Sequence, residues 1–159
     1  MSTKYQILEE YNKNLMYIYD ILKKSTTTNN IELNNICKEL FFGDYYFIGV
    51  KSSDEFPKYI KNGQMFIINN KSSKSKTNGE HWLAFIKSDK NKDHKPRLYG
   101  YDSFNRDIHK LSPYFQHKRF VNANSNRDQS YYGESNCGER AVSWLISFAK
   151  HGDKVINII

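Results

Sequence analysis

The sequence predicts an α+β domain, and three observations carry that reading. Apolar residues near the start recur at helical steps, the middle holds short β-like runs, and a late apolar segment reads as a helix buried all round. A chain of 159 residues has the length of one domain. No repeat, linker or shift in composition divides it. Residues 1–159 are therefore expected to fold as one unit, with a helical part over 1–42 and a sheet with its main helix over 43–159.

In "KYQILEEYNKNLMYIYDILKK" (4–24), Leu8, Tyr11, Leu15, Ile18 and Leu22 alternate in steps of three and four, one face of an amphipathic helix. Ser2 or Thr3 is its expected N-cap, and Lys23 and Lys24 suit the negative end of its dipole. A shorter helix is predicted in "IELNNICKELFF", with Leu33, Ile36, Cys37, Leu40 and Phe41 inward and Gly43 terminating it. The runs "YYFIGV" (45–50), "QMFIIN" (64–69), "HWLAFIK" (81–87) and "RLYGY" (97–101) are aromatic and β-branched, hence strands. In "HWLAFIK" both alternating sets are apolar, which predicts a strand covered on two faces. "SPYFQHKRFVNA" (112–123) reads as a turn entering one more short strand. From Gly138 the chain is apolar on nearly every side until Gly152 offers a stop.

The hydrophobic fraction is a modest 38%, yet 12 Tyr and 10 Phe suffice for a core without staples. Two cysteines, Cys37 and Cys137, do not make a disulfide framework, and "MSTKYQILEEYNKN" does not read as a signal peptide, so a reducing compartment is expected. No run approaches the ~18 apolar residues of a membrane span. A net charge of +7 favours polyanions or acidic partners. The basic residues gather in "NNKSSKSKTNGE" (69–80) and "KSDKNKDHKPR" (87–97), loops that read equally as solvated surface or as nucleic-acid contacts.

Cys137 stands at the threshold of the buried helix, where the dipole favours a thiolate. Cys37 lies on an apolar helical face and reads as core. A cysteine becomes a nucleophile when a base is in reach and a third group orients that base. Of the five histidines His81 is the best placed, because it opens a buried strand. Asp102 ends the next strand, and neighbouring strands would bring both side chains out at one sheet edge, the carboxylate fixing the imidazole tautomer. Gln129 is the candidate amide to receive a developing oxyanion with the Cys137 N–H, and Asn126 and Asn136 are its rivals. Read singly, each has a plain structural role: a small core thiol, a strand-end histidine, a turn aspartate, a loop amide.

Together the residues fall in the order His, acid, Gln, Cys, in "GEHWLAFIK", "LYGYDSF", "NRDQSYY" and "SNCGERA". This order, with the "HW" pair and the "CG" opening an apolar helix, resembles the adenovirus-protease (adenain) family, related in fold to the SUMO and ubiquitin-like-protein proteases. The segment "GDYYFIGVKSSDEFPKYI" (43–60) is similar to that family's N-terminal region, and the resemblance spans roughly residues 31–150. It implies a papain-like fold with permuted elements: a central mixed sheet against a helix that starts at the nucleophile, with extra N-terminal helices. It further implies Cys137 as nucleophile, His81 as proton shuttle, Asp102 as its orienter and Gln129 in the oxyanion hole. By the same resemblance the protein is a cysteine endopeptidase that matures virus particles by cutting capsid and core precursors. Its places would be the virion and the infected host cell (cytoplasm or virus factory).

The chain departs from the family pattern in places. Gln129 lies one residue farther from the cysteine, and the acid is Asp where adenovirus has Glu. "HKRFVNANSN" carries no cysteine to link an activating viral peptide, while the positive charge leaves DNA open as an activator. The family's C-terminal helices are not expected here, and the extra helix at 4–24 is expected to cover the exposed face instead. No metal or small-molecule cofactor is expected, nor a membrane, and the protein is expected to be a monomer. Two alternatives carry their own consequences: a SUMO or ubiquitin-like-protein deconjugase, and a non-enzymatic basic protein binding DNA or the capsid.

Overall fold

The structure, a computed structural model, describes residues 3–22, 29–40, 42–74, 81–124 and 136–159. It is an α+β arrangement of a mixed five-stranded sheet and three α-helices. The strands are β1 (Tyr46–Lys51), β2 (Gln64–Asn69), β3 (Trp82–Ser88), β4 (Arg97–Tyr101) and β5 (Val121–Asn122), and they lie in sequence order across the sheet. β1 runs parallel to β2 and β5 parallel to β4, while the β2–β3 and β3–β4 pairs are antiparallel.

The double apolar alternation of β3 has the consequence predicted for it. Trp82, Ala84 and Ile86 face one core, and Leu83 and Phe85 face a second. The first core is roofed by α1 (Lys4–Leu22), α2 (Asn30–Glu39) and α3 (Cys137–His151). There Tyr101 stacks on Trp144 at 5.1 Å, and Phe148 packs on Tyr99 at 4.9 Å. The second core is closed by short 3-10 turns at Ser53–Glu55, Ile108–Lys110 and Pro113–Phe115, which seat Phe56, Ile108 and Phe115 against Phe66 and Phe85. Each large side chain so buried contributes about 1.5–3 kcal/mol.

Thr3 begins α1 through a reciprocal pair, its Oγ1 accepting from the Gln6 N–H while Gln6 Oε1 accepts from the Thr3 N–H. Ser2, Lys23 and Lys24 lie outside the described residues. Asn29 and Glu32 cap α2 in the same reciprocal way. This helix stops at Glu39, ahead of the expected Gly43, because Leu40 is already extended. Gly43 instead serves the turn into β1 at φ +66°. α3 does end at Gly152, whose φ of +70° and close approach to the Lys90 carbonyl leave no room for a side chain. Among the described residues no helix is long and apolar enough to cross a membrane.

Candidate active site

Because β3 and β4 are antiparallel, with Ala84 opposite Tyr101, the start of one strand and the end of the other lie side by side. His81 precedes β3 and Asp102 follows β4, so the register delivers both to one edge. The two are hydrogen bonded, His81 Nε2–H donating to Asp102 Oδ1, and both are buried. The bond uses Nε2, which leaves Nδ1 as the ring nitrogen able to exchange a proton with another group.

Asp102 is also a turn residue, so its two readings hold at once. Its Oδ1 accepts from the Phe104 N–H (3.2 Å), and its Oδ2 from the Arg106 N–H and Nε–H (2.9 Å each). Burial pushes the carboxyl up, but the bonds and charges of His81 and Arg106 outweigh it and hold Asp102 well below the usual carboxylate range. Asn105 takes the left-handed φ of +57° that closes the turn. Asn124 fastens it from β5's side: its Oδ1 accepts from the Asp102 N–H, and its amide donates to Asn105 Oδ1 at 2.7 Å. Phe104 packs against both the His81 ring (5.0 Å, stacked) and the Arg106 guanidinium (4.9 Å).

Cys137 is the first residue of α3, with Asn136 at the N-cap. The Asn136 side chain does not cap the helix; its Oδ1 accepts instead from Arg140 Nε. The N–H groups of Cys137 and Gly138, together with that of Trp82, favour the charged form of the sulfur. The thiol thus lies against the peptide that joins His81 to Trp82. Gly138 permits the approach, since a Cβ there would stand 3.0 Å from Leu33 Cδ2 and 3.3 Å from Trp82 Cδ1.

Burial opposes the thiolate that the helix dipole favours. Desolvation pushes the Cys137 thiol up to about 11, aided by the Glu139 carboxylate two residues on, and the three N–H groups offset only part of it. Burial thus favours the protonated thiol, whereas the three N–H groups favour the thiolate. Cys37 is buried on α2 and raised further still by the same desolvation.

Gln129 and its rival Asn126 lie outside the described residues. The other histidines sit elsewhere. His94 is exposed at φ +53°, His109 stacks on Phe120 at 3.9 Å, His117 is exposed, and His151 pairs with Glu10 at 2.7 Å. In the second basic loop Lys87 Nζ donates to the Ile60 carbonyl, Lys90 Nζ to the Ala149 carbonyl, and Arg97 pairs with Asp93. Among the described residues no group of three or more His, Cys, Asp or Glu is gathered as a metal-ligand set. Sequence reasoning missed Phe104, Arg106 and Asn124. The spacing of Arg106 four residues beyond Asp102, across an Asn-bearing turn, was the available signal.

No family model, curated protein or solved structure matches this chain. What the site can do is therefore argued from its chemistry: an ionised carboxylate can stabilise an imidazolium, and an imidazole so held can relay a proton for a thiol within its reach.

Proposed function

We propose that the protein is a cysteine endopeptidase with the permuted papain-like arrangement of the adenain family, and that it matures virus particles by cutting capsid or core precursor proteins. The observation that carries this reading is the His81–Asp102 bond through Nε2, which leaves Nδ1 for a thiol lying against the next peptide. The sequence resemblance adds the residue order and the substrate class.

In this reading His81 Nδ1 takes the proton of Cys137 as the sulfur attacks the scissile carbonyl carbon. The C=O electron pair moves onto oxygen, which the Cys137 N–H and the Gln129 amide receive. Collapse expels the amine, and His81 returns the proton to it. Water, deprotonated by His81, then opens the thioester and restores the thiol. Asp102 stays ionised throughout and stabilises the imidazolium of both steps.

No metal or small-molecule cofactor takes part. Activation is proposed to come from DNA, drawn by the positive charge, or from a viral peptide that is not covalently attached. The protein acts as a monomer in the virion and the infected cell, in a reducing compartment, without a membrane. The test is cleavage of a panel of capsid precursors by wild type, Cys137→Ala and His81→Ala, with and without DNA. Precursor cleavage by wild type alone supports the reading. Labelling of Cys137 by a ubiquitin-like suicide probe without precursor cleavage replaces it with a deconjugase. DNA binding unchanged in Cys137→Ala, with no hydrolysis by any form, leaves a basic binding protein.

A further inference from the structure

We propose that Arg106 is a positioning residue of the His81–Asp102 pair: it grips both oxygens of Asp102 and holds the carboxylate in the orientation that His81 meets. The inference rests on the reading of Cys137 and His81 as a catalytic pair.

The geometry is over-determined. Arg106 meets Asp102 with its backbone N–H and Nε–H on Oδ2, both at 2.9 Å, and with Nη2–H on Oδ1 at 3.3 Å, the oxygen that also holds His81. A planar fork of this kind fixes the plane of the carboxylate, which a point charge on a flexible stem does not. Phe104 packs against both partners, its ring stacked on the imidazole at 5.0 Å and 4.9 Å from the guanidinium. The left-handed Asn105 and the Asn124 clamp hold the turn that carries Phe104 and Arg106. Arg106 is only about one-third exposed, so water screens it incompletely.

Arg106 and His81 share Asp102 Oδ1, so the guanidinium fork that fixes the carboxylate also fixes where the imidazole finds its acceptor. A carboxylate free to turn would let the imidazole turn with it.

The experiment is the alkylation rate of Cys137 over a pH series for wild type, Arg106→Gln, Arg106→Lys and His81→Ala. Arg106→Gln keeps planar donors, and its plateau should stay within about twofold of wild type. Arg106→Lys keeps the charge and loses the fork, and its plateau should fall about five- to tenfold. An unchanged plateau in Arg106→Lys overturns the proposal, and so does an equal fall in Arg106→Gln. If Arg106→Gln does not fold, Arg106→Lys alone decides. Should wild type and His81→Ala alkylate equally, it is the catalytic pair itself that fails.

Discussion

Gly138 and Trp82 are in contact so close that a single added carbon would stand 3.3 Å from the indole. The first turn of α3 lies flush on the start of β3, and the nucleophile candidate reaches the histidine strand through that contact. Gly138→Val places two further carbons in the gap and should cost about 1–3 kcal/mol by overpacking. Urea denaturation measures the cost. The same variant should slow Cys137 alkylation in the folded protein, because the helix start must withdraw from β3.

Reactivity of the two thiols should separate sharply. Both are raised by burial, Cys137 to about 11 and Cys37 beyond it, and Cys137 alone lies against the His81–Trp82 peptide. At pH 7 and low denaturant, Cys137 should be the thiol that iodoacetamide modifies, and His81→Ala should slow it by at least tenfold. Mass spectrometry of peptide fragments reads both sites in one sample. Equal, slow labelling of the two would mean that Cys137 is only a core residue.

Asp102 holds His81, Arg106 and its own turn, so its removal combines a chemical loss with a structural one. Asp102→Ala leaves a guanidinium and an imidazole without their shared anion and should cost about 3–5 kcal/mol. Hydrolysis, or Cys137 alkylation in its place, should fall by on the order of 10²-fold in whatever fraction stays folded. The carboxyl is depressed in the folded state, so its contribution is present above its ordinary value of 3.8 and lost as pH falls through the lower folded value. A melt series below pH 4 should show that loss, and Asp102→Ala should lack it.

A second pH dependence belongs to α1. Glu10 pairs with Lys150 at 2.9 Å and with His151 at 2.7 Å on α3, and these bonds lower its carboxyl from the ordinary 4.5. A depressed carboxyl stabilises above its unfolded value and stops doing so as pH falls through the folded one. Hydrogen exchange of α1 amides should therefore accelerate relative to α3 as pH drops below 4.5. Glu10→Gln should show faster α1 exchange already at pH 7 and no further loss of that kind on acidification.

The three helices and five strands were legible because their patterns were unambiguous: steps of three and four in 4–22, doubled alternation in 82–88, and an all-round apolar run in 137–151. The end of α2 was not, since Leu40 and Phe41 continue the apolar face although the backbone has already left the helix at Leu40. His81 and Asp102 were legible as strand-end residues that a common edge would join. The Arg106 grip was not, because it depends on a turn whose left-handed Asn105 no periodicity reveals. The burial that opposes a Cys137 thiolate was hidden for a similar reason. The dipole can be read from sequence position, whereas the competing desolvation depends on the tertiary burial of that one sulfur.

The pairing of α1 with α3 also sets an order of events at the ribosome. Glu10 and Lys150 are 140 positions apart. At ~5–20 residues per second, α1 waits on the order of 10 s for the helix that covers it. His81 and Asp102 can meet during that interval, but Cys137 arrives only with α3. A helix-binding chaperone would therefore find α1's apolar stripe uncovered for that time.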